Sequence, residues 1–150
     1  MGNPIKLTFD DVEVVKKKVQ GRVLTFAQMF VQDMNNAIVV STPVKLGFLR
    51  GSWFPGLNQI PSGRGSVDPS GSGTLSRLTA VALTLTLGDT YYLVNTAAYA
   101  ARIEYGFFGK DKLGRNINQA GRGFIRGVVA QLDQIAKGTA QRVASGQYDV

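Results

Sequence analysis

The sequence predicts an α+β domain: a small antiparallel or mixed sheet flanked by a long N-terminal helix and a C-terminal helix, with long flexible loops. Three observations carry that expectation. Apolar residues recur at steps of three and four from Val12 to Ile38, the period of a helix with one buried stripe. A second stripe of the same period runs from Phe124 to Val143. Between them lie short β-branched and aromatic runs punctuated by Gly and Pro, the pattern of strands and turns. A chain of 150 residues fits one domain, 1–150.

The first helix is expected over about residues 9 to 40. Thr8 with Asp11 three positions on resembles a capping box, which satisfies orphan amides at a helix start. Val12, Val15, Val19, Val23, Phe26, Phe30, Met34 and Ile38 form its apolar face. Pro43 stops it, because the residue before a proline avoids the helical region. So long a rod exceeds what one small domain covers, so part of its stripe is expected to pack on something else, such as a neighbouring subunit.

Pro43 and Gly47 then mark turns, and Leu49 to Leu57 reads as a short strand. Ten of the thirteen residues from Pro61 to Gly73 are Gly, Ser or Pro, so the segment 59–73 is expected to be a mobile loop, too poor in apolar groups to offset its ordering entropy. Residues 74–87 fit either period; a short helix into the low eighties followed by extended chain is favoured. Thr90 to Val94 reads as a strand, and Ala97 to Tyr105 as a short helix ended by Gly106. A basic, Gly-rich connector is expected over about 106–123. One last helix is expected from Phe124 to about Ala144.

Composition narrows the chemistry. The chain has no Cys and no His. That excludes disulfides, thiolate and imidazole metal ligands, thiol nucleophiles and Ser–His couples. Carboxylate chemistry needs two acids converging in a cleft. Asp10, Asp11 and Glu13 instead complement the helix dipole, and Glu104, near Arg102 between Tyr99 and Tyr105, reads first as an acid that fixes its helix. Gly121-Arg122-Gly123 lacks the third glycine and preceding strand of a dinucleotide loop. No catalytic, cofactor-binding or metal-ligating residue, and no cofactor, is therefore expected. Met1–Lys6 shows no leader pattern and no stretch is apolar enough to span a membrane, so the reading is a soluble, non-exported protein.

The net charge is +7, which favours polyanions or acidic surfaces as partners. Residues 43–126 hold most of it, with ten bases against four acids. Lys110, Lys112, Arg115 and Arg122 lie beside glycines, where charge suits a phosphate backbone but aromatic residues for reading bases are sparse. A solvated loop face is the plainer account of them. A basic module that contacts DNA backbone without sequence specificity is the alternative functional reading.

Three blocks carry a resemblance. They are Thr42-Pro43-Val44-Lys45-Leu46-Gly47-Phe48-Leu49-Arg50-Gly51-Ser52; Gly88 to Gly106, which ends Tyr99-Ala100-Ala101-Arg102-Ile103-Glu104-Tyr105-Gly106; and Gln119-Ala120-Gly121-Arg122-Gly123-Phe124-Ile125-Arg126. In order and spacing they resemble the tail-completion or neck family of long-tailed bacteriophages, also called head–tail connector or minor tail proteins. Three departures from the family pattern are Ala98, where a proline is usual, the absence of another proline near Gly121, and a segment from Phe107 to Asn118 that is longer than usual.

The resemblance implies a structural virion protein and not an enzyme: a ring-forming subunit, usually six-fold, that caps the tail tube and joins it to the head. Its partners would be itself, the tail tube protein and head-side adaptors, with DNA passing through by non-specific contacts and no membrane involved. Its location would be the virion neck, after assembly in the host cytoplasm. Pro43, Gly47, Leu49 and Arg50 would shape the turn into the sheet, and Tyr99, Arg102, Glu104 and Tyr105 a buried polar–aromatic brace. Phe124 and Arg126 would belong to the same structural set. Lys110, Lys112, Arg115 and Arg122 would face DNA in the lumen.

Overall fold

A computed structural model describes residues 8–146; the reading of Met1–Lys6 lies outside them. Helix α1 (Phe9–Ser41) opens on the expected cap: the Asp11 amide donates to Thr8 Oγ1 while the Thr8 amide donates to Asp11 Oδ2 at 2.9 Å. Its 33 residues make a rod about 50 Å long at about 1.5 Å per residue. The fold is built around the C-terminal half of that rod.

After α1 come a 3-10 turn (Arg50–Ser52), strand β1 (Trp53–Leu57), helix α2 (Ser72–Ala82) and strand β2 (Tyr91–Asn95). Helix α3 (Ala100–Tyr105), strands β3 (Gly106–Lys110) and β4 (Asn116–Ala120), and helices α4 (Phe124–Val129) and α5 (Leu132–Ala144) follow. The fold is α+β, with the long first helix and the C-terminal helix where the periodicity places them. Its strands form two separate antiparallel ribbons and not one sheet. β1 pairs with β2 from Trp53 opposite Asn95 to Leu57 opposite Tyr91, and β3 with β4 from Gly106 opposite Ala120 to Lys110 opposite Asn116.

An isolated ribbon is marginal in water. The first is held by packing against α1 and α2. Ile38 and Val39 of α1, Leu49, Trp53, Leu78, Ala97, Ala100, Phe124 and Val128 form the main core, with Trp53 and Phe124 edge to face at 6.4 Å. A smaller cluster of Val31, Ala82 and Leu85 continues it along α1. Helix α5 lies on α1, tied by Thr139 Oγ1 donating to Asp33 Oδ2 at 2.6 Å and by the Arg142–Asp33 ion pair.

The structure corrects four expectations. Regular strand begins at Trp53 and not Leu49, because Arg50–Ser52 first make a tight turn. The segment 59–73 is laid down on the fold: Ser66 and Asp68 amides donate to Gly51 O at 3.4 Å and Gly47 O at 3.1 Å. A Cβ on Gly51 would stand 1.8 Å from Ser66 O, so glycine here serves close backbone approach. The basic connector is the β3–β4 hairpin; its turn closes because Asp111 Oδ1 accepts the Leu113 and Arg115 amides at 2.9 Å. The last helix is broken at Ala130–Gln131, where Gln131 (φ −103°, ψ 0°) leaves the helical region.

Candidate assembly surface

The block from Thr42 to Ser52 is a corner that joins the end of α1 to the first ribbon. Thr42 is buried; its Oγ1 donates to Ile38 O at 2.6 Å and accepts Trp53 Nε1 at 2.9 Å. The chain turns at Gly47 (φ +91°), whose carbonyl accepts the Gly51 amide at 2.9 Å. Leu49 is buried and Ser52 Oγ donates to Phe48 O at 2.6 Å.

Arg50 reaches out from this corner. Its Nη2 donates to Val40 O at 3.2 Å and Thr42 O at 3.1 Å, and its Nη1 to Pro69 O at 2.7 Å. Helix α1 has no basic residue in its last turn; Arg50 supplies one from nine positions beyond Ser41, where cations and donors suit orphan carbonyls. Pro43, Gly47, Leu49 and Arg50 are thus brought together as a shaped turn. Arg50→Ala should destabilise the fold by about 1–3 kcal/mol through the lost hydrogen bonds, and Arg50→Lys should recover only part, having no planar fork. Thermal melting of the two variants checks this; unchanged midpoints would count against the clamp.

The expected brace is real in only one member. Glu104 is 1% exposed, and its Oε2 accepts the Ile125 amide at 2.9 Å while Oε1 accepts the Arg126 amide at 3.1 Å and Nε at 2.9 Å. Its partner is Arg126, not Arg102. Tyr99, Arg102 and Tyr105 are exposed: Tyr99 stands before the helix at its cap position, and a six-residue helix turns only one narrow face inward. Arg102 lies over the Phe107 ring at 4.3 Å, and Arg126 over the Tyr105 ring at 5.0 Å. Burial alone would push the Glu104 carboxyl up. The two α4 amides and the Arg126 guanidinium outweigh it, and the carboxyl titrates below the ordinary glutamate value. All of its hydrogen bonds go to the N-terminus of α4, which has only Gly123 at its cap position.

Three groups of residues that sequence patterning did not single out complete this frame. Arg77 Nη2 donates to Trp53 O at 2.7 Å and Gly51 O at 3.2 Å, and its guanidinium covers the Phe54 ring at 4.5 Å. Asn35, buried in α1, pairs with the Tyr91 hydroxyl at 2.9 Å. Asp68 accepts the Gly71 and Thr74 amides, capping α2 from outside the helix. An Asp followed by small polar residues before a helix was the one available signal, for Asp68.

Two surfaces remain open. On α1, Val12, Val15, Val19 and Val23 are 54%, 60%, 55% and 48% exposed, whereas the stripe is covered from Leu24 onward. Behind the Pro43–Leu49 corner lies a cavity of about 380 Å³, bordered also by Tyr99, Ile103, Gln119 and Arg122. Lys110, Lys112, Arg115 and Arg122 are all exposed on and beside the β3–β4 hairpin, Arg115 in an ion pair with Asp111 at 2.7 Å. Among the described residues no cluster of three or more acids could hold a metal ion, and no helix is long and apolar enough to cross a membrane. Comparison with protein-family models, with curated proteins and with solved structures gives no match.

Proposed function

We propose that this chain is a structural ring subunit of a phage neck, which closes on copies of itself to cap the tail tube and to join it to head-side adaptors. The observation that carries the reading is the bare N-terminal half of α1. Five valines between Val12 and Val23, Val14 included, are about half exposed or more. A free helix of that length is marginal in water, and β-branched residues make it more so. Such a segment persists when another surface covers it. The three sequence blocks that resemble the neck family add support, and the exposed cations of the β3–β4 hairpin suit a lumen through which DNA passes unread.

The reading predicts that Val15→Asp abolishes association while leaving the monomer folded, since exposed substitutions shift stability by only about 0.5 kcal/mol. Light scattering of the purified chain, alone and mixed with tail tubes, checks it. The unsubstituted chain should form a closed oligomer of one size, in solution or on the tube end. Monomers under both conditions, or a Val15→Asp variant that assembles normally, would contradict the reading.

A further inference from the structure

The bare helix end and the cavity are chemically complementary, and they belong to opposite ends of one rod. The exposed first turns of α1 carry Asp10, Asp11 and Glu13 around Val12 and Val15. The cavity presents Val44, Leu46, Phe48 and Ile103; the charged residues at its border are Lys45 and Arg122, both positive and both exposed. Its volume, about 380 Å³, lies in the range that accepts a ligand or anchoring side chains.

We infer that the N-terminal turns of α1 of one copy seat in the Pro43–Leu49 cavity of the next, with Val12 and Val15 against its apolar wall and the acidic first turns, which carry Asp10, Asp11 and Glu13, in the field of Lys45 and Arg122. This rests on the ring reading and specifies its contact. A chain does not fill its own cavity this way, because Val12 and Thr42 are about 45 Å apart along a continuous helix. Knob and hole are different patches, so the contact is head-to-tail, the kind that closes into a ring by rotation. Three carboxylates outweigh the partial positive charge of the helix N-terminus that approaches the two cations. Lys16, Lys17 and Lys18 follow one turn on, with Lys16 paired to Glu13 at 3.6 Å, and like charge turns them away from Lys45 and Arg122.

Because the chain has no Cys, engineered thiols report the contact cleanly. Val12→Cys and Leu46→Cys alter exposed side chains, 54% and 71% accessible. Mixed under mild oxidation, the two single variants should form a disulfide-linked pair, since a bridge needs Cα atoms within about 7 Å. The double variant should give a ladder of linked oligomers.

Charge reversal gives a second measurement. Asp10→Lys with Glu13→Lys should weaken association roughly tenfold or more, and Lys45→Glu with Arg122→Glu in the other copy should restore it. Val12→Cys copies linking to each other faster than to Leu46→Cys would show stripe-to-stripe pairing and overturn the inference. So would assembly of the unsubstituted chain with no Val12–Leu46 link, an outcome that leaves the ring reading standing. No assembly of the unsubstituted chain, alone or on tubes, would remove both.

Discussion

Glu104→Ala should lower the stability of the folded chain by about 2–4 kcal/mol, since two amides at the start of α4 lose their acceptor in a buried setting, at about 1–3 kcal/mol each. The Arg126 side chain is 59% exposed and rehydrates, so a stranded cation adds little. For a chain of this size the melting midpoint should fall by roughly 5–15 °C. Glu104→Gln keeps one acceptor but turns an NH2 toward the other amide, and should lose about half as much.

The same residue gives a pH signature. Its folded carboxyl titrates below its ordinary value of 4.5, so the unfolded chain binds the proton more tightly. The stability it contributes is full above pH 4.5 and is lost as pH falls through the lowered folded value. Asp68, Asp89 and Asp111 are also held below the ordinary aspartate value and add their own acid sensitivity. The difference between wild type and Glu104→Gln isolates the glutamate: it should shrink as pH falls below 4.5. A difference that stays constant down to acid unfolding would contradict the capping role.

Gly47→Ala should be comparably damaging, by about 2–5 kcal/mol. The backbone sits at φ +91°, a left-handed region costing an L side chain about 1–2 kcal/mol. A Cβ would also stand 2.4 Å from Pro69 N and 2.7 Å from Pro69 Cα. Those are backbone atoms, and overpacking of this kind costs about 1–3 kcal/mol. The segment would be pushed off, taking with it the Pro69 carbonyl that Arg50 holds and the Asp68 carboxylate that caps α2. The amides of residues 66–74 should therefore lose exchange protection before the α1–α5 pair does. Uniform loss, or none, would show that the corner and the loop are not coupled.

The parts of the fold legible in the sequence are those governed by local chemistry. The Thr8–Asp11 capping box, the α1 stripe and the stop at Gly106 are read within a few residues, and β2 falls one position from its expected place. What stayed hidden depends on partners far along the chain. Gly, Ser and Pro between residues 59 and 73 have the composition of a mobile loop; that Gly51 and Gly47 leave room for it is visible only in three dimensions. Glu104 reads in the sequence as a half-buried, paired acid that fixes its own helix; it is fully buried and holds α4 instead, because its partner Arg126 is 22 positions away, and Arg102, nearer in sequence, is exposed. The β3–β4 hairpin was hidden by its charges and glycines, since Asp111 closes the turn with side-chain bonds that periodicity does not register. Of the candidate assembly surface, the excess length of α1 was legible; the cavity that complements its acidic end was not.

In the proposed ring, copies of this chain cover the helix surface that their own fold leaves bare. Amide hydrogen exchange over Val12–Val23 tests that most directly, because a helix segment without packing opens readily. Exchange there should be fast in the dilute monomer and strongly slowed once the chain has assembled. Protection already present in the monomer, or exchange that stays fast in the assembly, would contradict it.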